Sequence, residues 1–168
     1  MDSNALKGLQ APIKAKYRDD PGSAIITLKA EGTIGEGVSC SVNTGRAIVE
    51  AGLHPATGGS GMQACSGDML LEALVACAGV TLNAVATALE LDVSAGRVLA
   101  EGDLDFKGTL GVDKNAPVGF RAIRLKFDLQ GKMTDEQLAT LIKLTERYCV
   151  IYQTLRSSPP IEVETRLS

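Results

Sequence analysis

Two periods alternate along this chain. "APIKAKY" (residues 11–17) and "SAIITLKAEG" (23–32) alternate or run apolar, and "DDPG" lies between them. That pattern predicts a β-hairpin. "GVSCSVN" and "GRAIVEAGL" read as further strands with "NTG" as their turn, and "HPATGGSG" is a loop by composition. The period then changes. "SGDMLLEALVACAGVTLNAVATALEL", residues 66–91, reads as one long helix, apolar almost all the way round. Ser66 is placed to cap it, and Asp68 sits in the first turn, where the helix dipole favours a carboxylate.

Alternation returns in "RVLAEGDLDFKGTLG" and "FRAIRLKFDLQG", which predict antiparallel strands joined by "VDKNAPVG". "TDEQLATLIKLTERY" follows as an amphipathic helix, with Thr134 and Gln137 as a capping box and Leu138, Leu141, Ile142 and Thr145 on one face. The pattern runs through Cys149 into "VIYQTLR", either as a continuation or as a second helix. "SSPP" stops it, and "IEVETRL" (161–167) predicts a terminal strand. Strands, helix, strands, helix, strand is the order of an α+β protein, with helices against antiparallel sheet. At 168 residues it suits a single domain over residues 1–168.

Composition narrows the function. The net charge is −3, and no segment clusters Lys and Arg. Aromatics are 4% and Trp is absent, so neither a phosphate-binding stripe nor a base-stacking platform is expected, and no nucleic acid. Residues 73–89 carry no charge, but they are interrupted by Gly79, Thr81, Asn83 and Thr87 and flanked by acids. A membrane span is not the expected reading. The N-terminus has no apolar run of signal-peptide length, so the expected location is cytoplasmic. The four cysteines (Cys40, Cys65, Cys77, Cys149) are then free or redox-active thiols. With one histidine, His54, and no C-x-x-C, neither a metal site nor a cofactor is expected.

A lone Cys in an apolar helix or strand is commonly a packing residue. Cys40 takes that reading. Cys65 precedes the long helix, where backbone N–H groups can stabilise a thiolate. Cys77 and Cys149 stand apart because of their contexts. "GDMLLEALVACAG" resembles the first signature of the OsmC/Ohr family (osmotically inducible protein C and organic hydroperoxide resistance protein), and "RYCVIYQTL" resembles the second. The resemblance runs from about residue 45 onward.

That resemblance implies an intertwined homodimer of α+β subunits, with antiparallel sheets packed around long central helices. A helix apolar all round would then pack one face on its own sheet and the other on the partner. It also implies a reaction. Cys77 would attack an organic hydroperoxide, Cys149 would condense with the resulting sulfenic acid, and an external dithiol of the lipoyl or thioredoxin type would reset the pair. Burial raises a thiol pKa, so a cation must offset it; the family uses an Arg held by a carboxylate. Arg46 is the candidate, with Arg18 as the alternative. Gly67 stands where the peroxidase branch has Glu, and Ser66 where the family helix opens with Pro. Asp68, one residue later, is the candidate acid, with Glu72 behind it. His54 is either a site base or a turn residue ahead of Pro55.

Three functions remain open: a Cys-dependent hydroperoxide reductase, a non-catalytic dimer of the same fold binding an apolar small molecule at its interface, and a thiol sensor pairing Cys65 with Cys77 or with another chain.

Overall fold

The structure, a computed structural model, describes residues 3–34, 40–42 and 51–167. Four strands form one antiparallel sheet: β1 (Ile25–Ile34), β2 (Cys40–Val42), β3 (Asp92–Asp105) and β4 (Phe120–Lys132), in the spatial order β2-β1-β3-β4. Among the described residues, five α-helices accompany it: α1 (Ser3–Asp19), α2 (Ser66–Ala88), α3 (Phe106–Thr109), α4 (Asp135–Tyr148) and α5 (Val150–Arg156).

The sheet has one wet face and one dry face, as period-2 strands require. On the wet face, charges pair across strands. Arg124 grips Asp103 with two hydrogen bonds, 2.6 and 2.9 Å, and Lys126 reaches Glu101 at 2.9 Å. Such exposed pairs fix register more than they add stability. On the dry face, Val98, Ala100 and Leu104 of β3 and Ile123, Leu125 and Phe127 of β4 join the core. Gly102 lies under the ring of Phe120, in space that any larger residue would need.

α2 lies on the dry face. Leu71, Leu74, Val75, Ala78, Leu82, Val85 and Ala86 are buried, at the three- and four-residue spacing of one helix face. The opposite stripe, with Met69, Ala73, Val80 and Ala84, is open to solvent in the single chain. The chain therefore does not by itself bury the helix on every side. By length and composition alone α2 could cross a membrane. In the fold, its buried face belongs to the core beneath β3 and β4.

The local expectations hold for β1, β2, β4 and α4. Thr134 and Gln137 form the capping box at 3.2 and 2.8 Å. Cys149 ends α4 and starts α5, so "VIYQTLR" is a second helix. Other expectations are corrected. Residues 11–17 belong to α1, not to a hairpin strand. Alternation there coincides with a four-residue spacing between Ile13 and Tyr17, and the core takes the helical version, with Tyr17 2% exposed. Pro12 is accommodated inside this helix. "DDPG" opens a single 3-10 turn, Pro21–Ala24. The cap of α2 is Cys65 rather than Ser66. β3 begins five residues earlier than the alternation suggests and gives way to α3, where the Asp105 side chain accepts from the Lys107 N–H at 3.1 Å. "IEVETRL" forms no strand within the chain. "NTG" and residues 45–50 of "GRAIVEAGL" lie outside the described residues.

Candidate functional site

α2 and α5 meet at their cysteines. Cys77 stands on α2 one turn beyond Leu74, half-buried at the edge of the core. Cys149, 1% exposed, is the hinge residue between α4 and α5. Both thiols are free, and they hydrogen-bond to each other. Their surroundings act on them in opposite senses. Burial alone would push the Cys77 thiol up. Hydrogen bonds from the Ile151 N–H, the Cys149 thiol, the Thr81 hydroxyl and the Val150 N–H outweigh it and hold Cys77 below its ordinary value. Cys149 is pushed up to about 11, first by burial and then by its hydrogen bond to Cys77 and the negative charge there, against opposing N–H groups of Tyr152 and Ile151. The surroundings therefore favour ionisation of Cys77 over ionisation of Cys149.

Local sequence explains why the donors are there. Cys149 adopts φ −71°, ψ 107°, which breaks α4 and restarts the chain as α5. The first N–H groups of a helix have no intrahelical acceptor, and here those of Val150 and Ile151 act on the Cys77 sulfur, with Ile151 shared with Cys149. Thr81 follows Cys77 by four residues and so shares its helix face. Sequence reasoning missed these donors. The i, i+4 spacing was the available signal for Thr81. Nothing in the sequence signalled that the start of α5 lies against α2.

The other candidates are placed elsewhere. Asp68 is nine residues before Cys77 on the same helix, about 13 Å along the axis at 1.5 Å per residue, too far for a direct contact with the sulfur. Its carboxyl is raised by burial, partly opposed by His54. Glu72, one turn on, is raised by burial and then by the Asp68 charge. His54 caps a 3-10 turn, Pro55–Thr57: its Nδ1 accepts from the Ala56 N–H at 3.0 Å, and its ring stacks on Phe106, centroids 5.0 Å apart. Arg18 is exposed on the last turn of α1, beside Tyr17, whose Oη donates to the Ala56 carbonyl at 2.8 Å. Arg46 lies outside the described residues. Cys65 caps α2 and is twelve residues from Cys77, about 18 Å along one rigid helix. A disulfide needs Cα atoms within about 7 Å, so the Cys65–Cys77 sensor within one chain is ruled out. Among the described residues, no group of three or more His, Cys, Asp and Glu could hold a metal ion.

A groove of about 530 Å³ lies between β4 and the helices α4 and α5, with Arg121, Glu146 and Arg156 among its lining. Leu125, Phe127 and Leu155 line it, together with Leu74 and Tyr152, each three residues from one of the two thiols.

A helix-borne Cys meeting a second Cys at a helix junction is the arrangement that the two sequence signatures led us to expect. The family model described as OsmC-like protein matches residues 59–164, more than half of the chain. The chain belongs to the OsmC-like family. Solved OsmC-like structures agree on the fold. An OsmC-like hydroperoxide resistance protein from Jannaschia sp. CCS1 is similar with a TM-score of 0.63 and 15% identity, covering 86% of this chain and 95% of that one. An OsmC-like protein from Mycoplasma pneumoniae is similar with a TM-score of 0.56 and 16% identity, covering 80% of this chain and 86% of that one. No curated protein matches. The OsmC-like match begins at residue 59, so it takes in both cysteine helices and leaves out the segment that carries Arg46.

Proposed function

We propose that this OsmC-like protein reduces organic hydroperoxides through Cys77 and Cys149, as a cytoplasmic homodimer recycled by an external dithiol. The Cys77 thiolate attacks the outer oxygen of the hydroperoxide. The O–O bond breaks, the sulfur becomes a sulfenic acid, and the leaving alkoxide takes a proton to become an alcohol. Cys149, once deprotonated, attacks that sulfur. Hydroxide leaves, takes a proton and departs as water, and a Cys77–Cys149 disulfide remains. A dithiol of the lipoyl or thioredoxin type reduces it by exchange and is itself oxidised to a disulfide.

One observation carries the reading: Cys77 is held below an ordinary thiol by donors that include Cys149, which is itself held above one. A peroxidatic thiol needs its ionised form favoured, and those donors favour it at Cys77. A packing residue would be raised by burial with nothing to offset it. Arg46 remains the proposed cationic aid to Cys77, and Asp68 its proposed anchor. The test is peroxide consumption by wild type and Cys77→Ser with each dithiol class. Consumption that survives in Cys77→Ser would overturn the reading. The non-catalytic ligand-binding dimer would then take its place.

A further inference from the structure

Nothing in the local sequence forces the helix to break at Cys149. "RYCVIYQTL" holds neither Gly nor Pro, and the apolar pattern passes straight through the thiol. Two local states are therefore open to this stretch. In a continuous helix, the Val150 N–H would donate to the Glu146 carbonyl, four residues back. In the structure, α4 stops at Tyr148, and Cys149 takes ψ 107°, which turns the Val150 N–H out of that ladder. The Val150 N–H acts on the Cys77 sulfur instead.

The carbonyl left behind has a new donor. Gln153 Nε2 donates to the Glu146 carbonyl oxygen at 2.7 Å. That bond belongs to the broken state alone. Along a continuous α-helix, residues 146 and 153 are seven rises apart, about 10.5 Å, beyond the reach of a glutamine amide. The backbone bonds on either side are ordinary. The Cys149 N–H donates to the Thr145 carbonyl at 2.9 Å and closes α4, and the Gln153 N–H donates to the Cys149 carbonyl at 2.9 Å and opens α5. Gln153 therefore ties α5 to the break twice, once through its backbone and once through its side chain.

We infer that Gln153 is a positioning residue for Cys77: its amide takes the Glu146 carbonyl and so holds the break that turns the Val150 N–H toward the sulfur. Water satisfies an exposed carbonyl about as well as an amide does, so filling that acceptor is a small part of the effect. The larger part is selection. The side-chain bond is lost if α4 and α5 join into one helix, and in that joined helix Val150 donates to Glu146 and leaves Cys77. This rests on the reading of Cys77 as the reacting thiolate and adds to it the residue that holds one of its donors in place.

The test is the pH profile of Cys77 alkylation by iodoacetamide in the whole chain, read on the Cys77 peptide by mass spectrometry. Gln153→Met keeps the side chain's length and removes its donor. It is expected to move the midpoint upward and to slow alkylation at pH 7 by at least about threefold, within the range that one hydrogen bond controls. An unchanged profile would overturn the inference. Val150→Pro separates positioning from general loosening. Proline suits the first position of a helix, keeps the residue before it out of the helical conformation, and removes the N–H in question. Val150→Pro is expected to raise the midpoint by itself, and Gln153→Met added to it is expected to raise it no further. A Gln153→Met effect of equal size in both backgrounds would overturn the inference, because Gln153 would then act by a route other than the Val150 N–H. No hydroperoxide enters the measurement. Absence of peroxide turnover with these alkylation shifts intact would sink the peroxidase reading and leave the positioning role standing.

Discussion

The two stretches of α2 make an instructive pair. Its N-terminal end has what a reactive site is usually built from: a thiol at a helix start, Cys65, an acid in the first turn, Asp68, and a histidine, His54, acting on that acid. Its middle is a run of Ala, Val, Leu and Gly around Cys77. Yet the N-terminal groups are occupied in holding the fold. His54 caps a turn and stacks on Phe106, and Cys65 serves as the backbone cap. In the middle, the start of α5 delivers N–H donors and a second thiol to Cys77. On the proposed function, reactivity follows the donors brought from another element more than the chemistry within one segment.

Predictions ordered by size test that contrast. Cys77→Ser should remove hydroperoxide turnover, whereas Cys65→Ser should leave it within about twofold, since only a nucleophile in reach of its resolving thiol forms the covalent intermediate. Comparable losses in both, measured by peroxide consumption, would erase the distinction. Next, Cys149→Ser should allow one oxidation and then stall, with a sulfenic acid at position 77 captured by a dimedone-type probe and seen by mass spectrometry.

Stability should divide along the same helix by face. Leu82→Ala, at a fully buried site, should cost about 2–5 kcal/mol in denaturant unfolding, and Leu74→Ala a similar amount. Met69→Ala, on the open stripe, should change a monomer's stability by no more than about 0.5 kcal/mol. A larger cost at Met69 that grows with protein concentration would locate a subunit contact on that stripe. His54→Ala should cost about 1 kcal/mol through the lost turn cap and ring contact, and should leave Cys77 alkylation unchanged.

The smallest effect is a displacement along the pH axis. Cys77 is held below an ordinary thiol, so its thiolate fraction, and with it the alkylation rate, should rise with pH and level off with a midpoint below that of an unperturbed thiol. Removing the donor thiol in Cys149→Ala should move that midpoint upward, as should Thr81→Val. A wild-type midpoint no lower than that of a cysteine in an unstructured peptide would remove the case that α5 activates Cys77.

The sequence by itself determined those features whose causes lie within a few residues. The capping box at Thr134 and Gln137, the alternation of β4, the helical run of α2 and the break that Pro159 and Pro160 impose are set by local spacing and local sterics. The resemblance of two short cysteine contexts named the family, because those contexts are themselves local strings. Tertiary structure decided the rest. Residues 11–17 satisfy a strand period and a helix period at once, and burial of Tyr17 chose between them. "IEVETRL" carries a strand's alternation, but a strand needs a neighbour, and the chain supplies none. The state of Cys77 depends on Val150 and Ile151, more than seventy positions away. No local period encodes that approach, because it is the packing of α5 against α2 that brings those N–H groups to the sulfur.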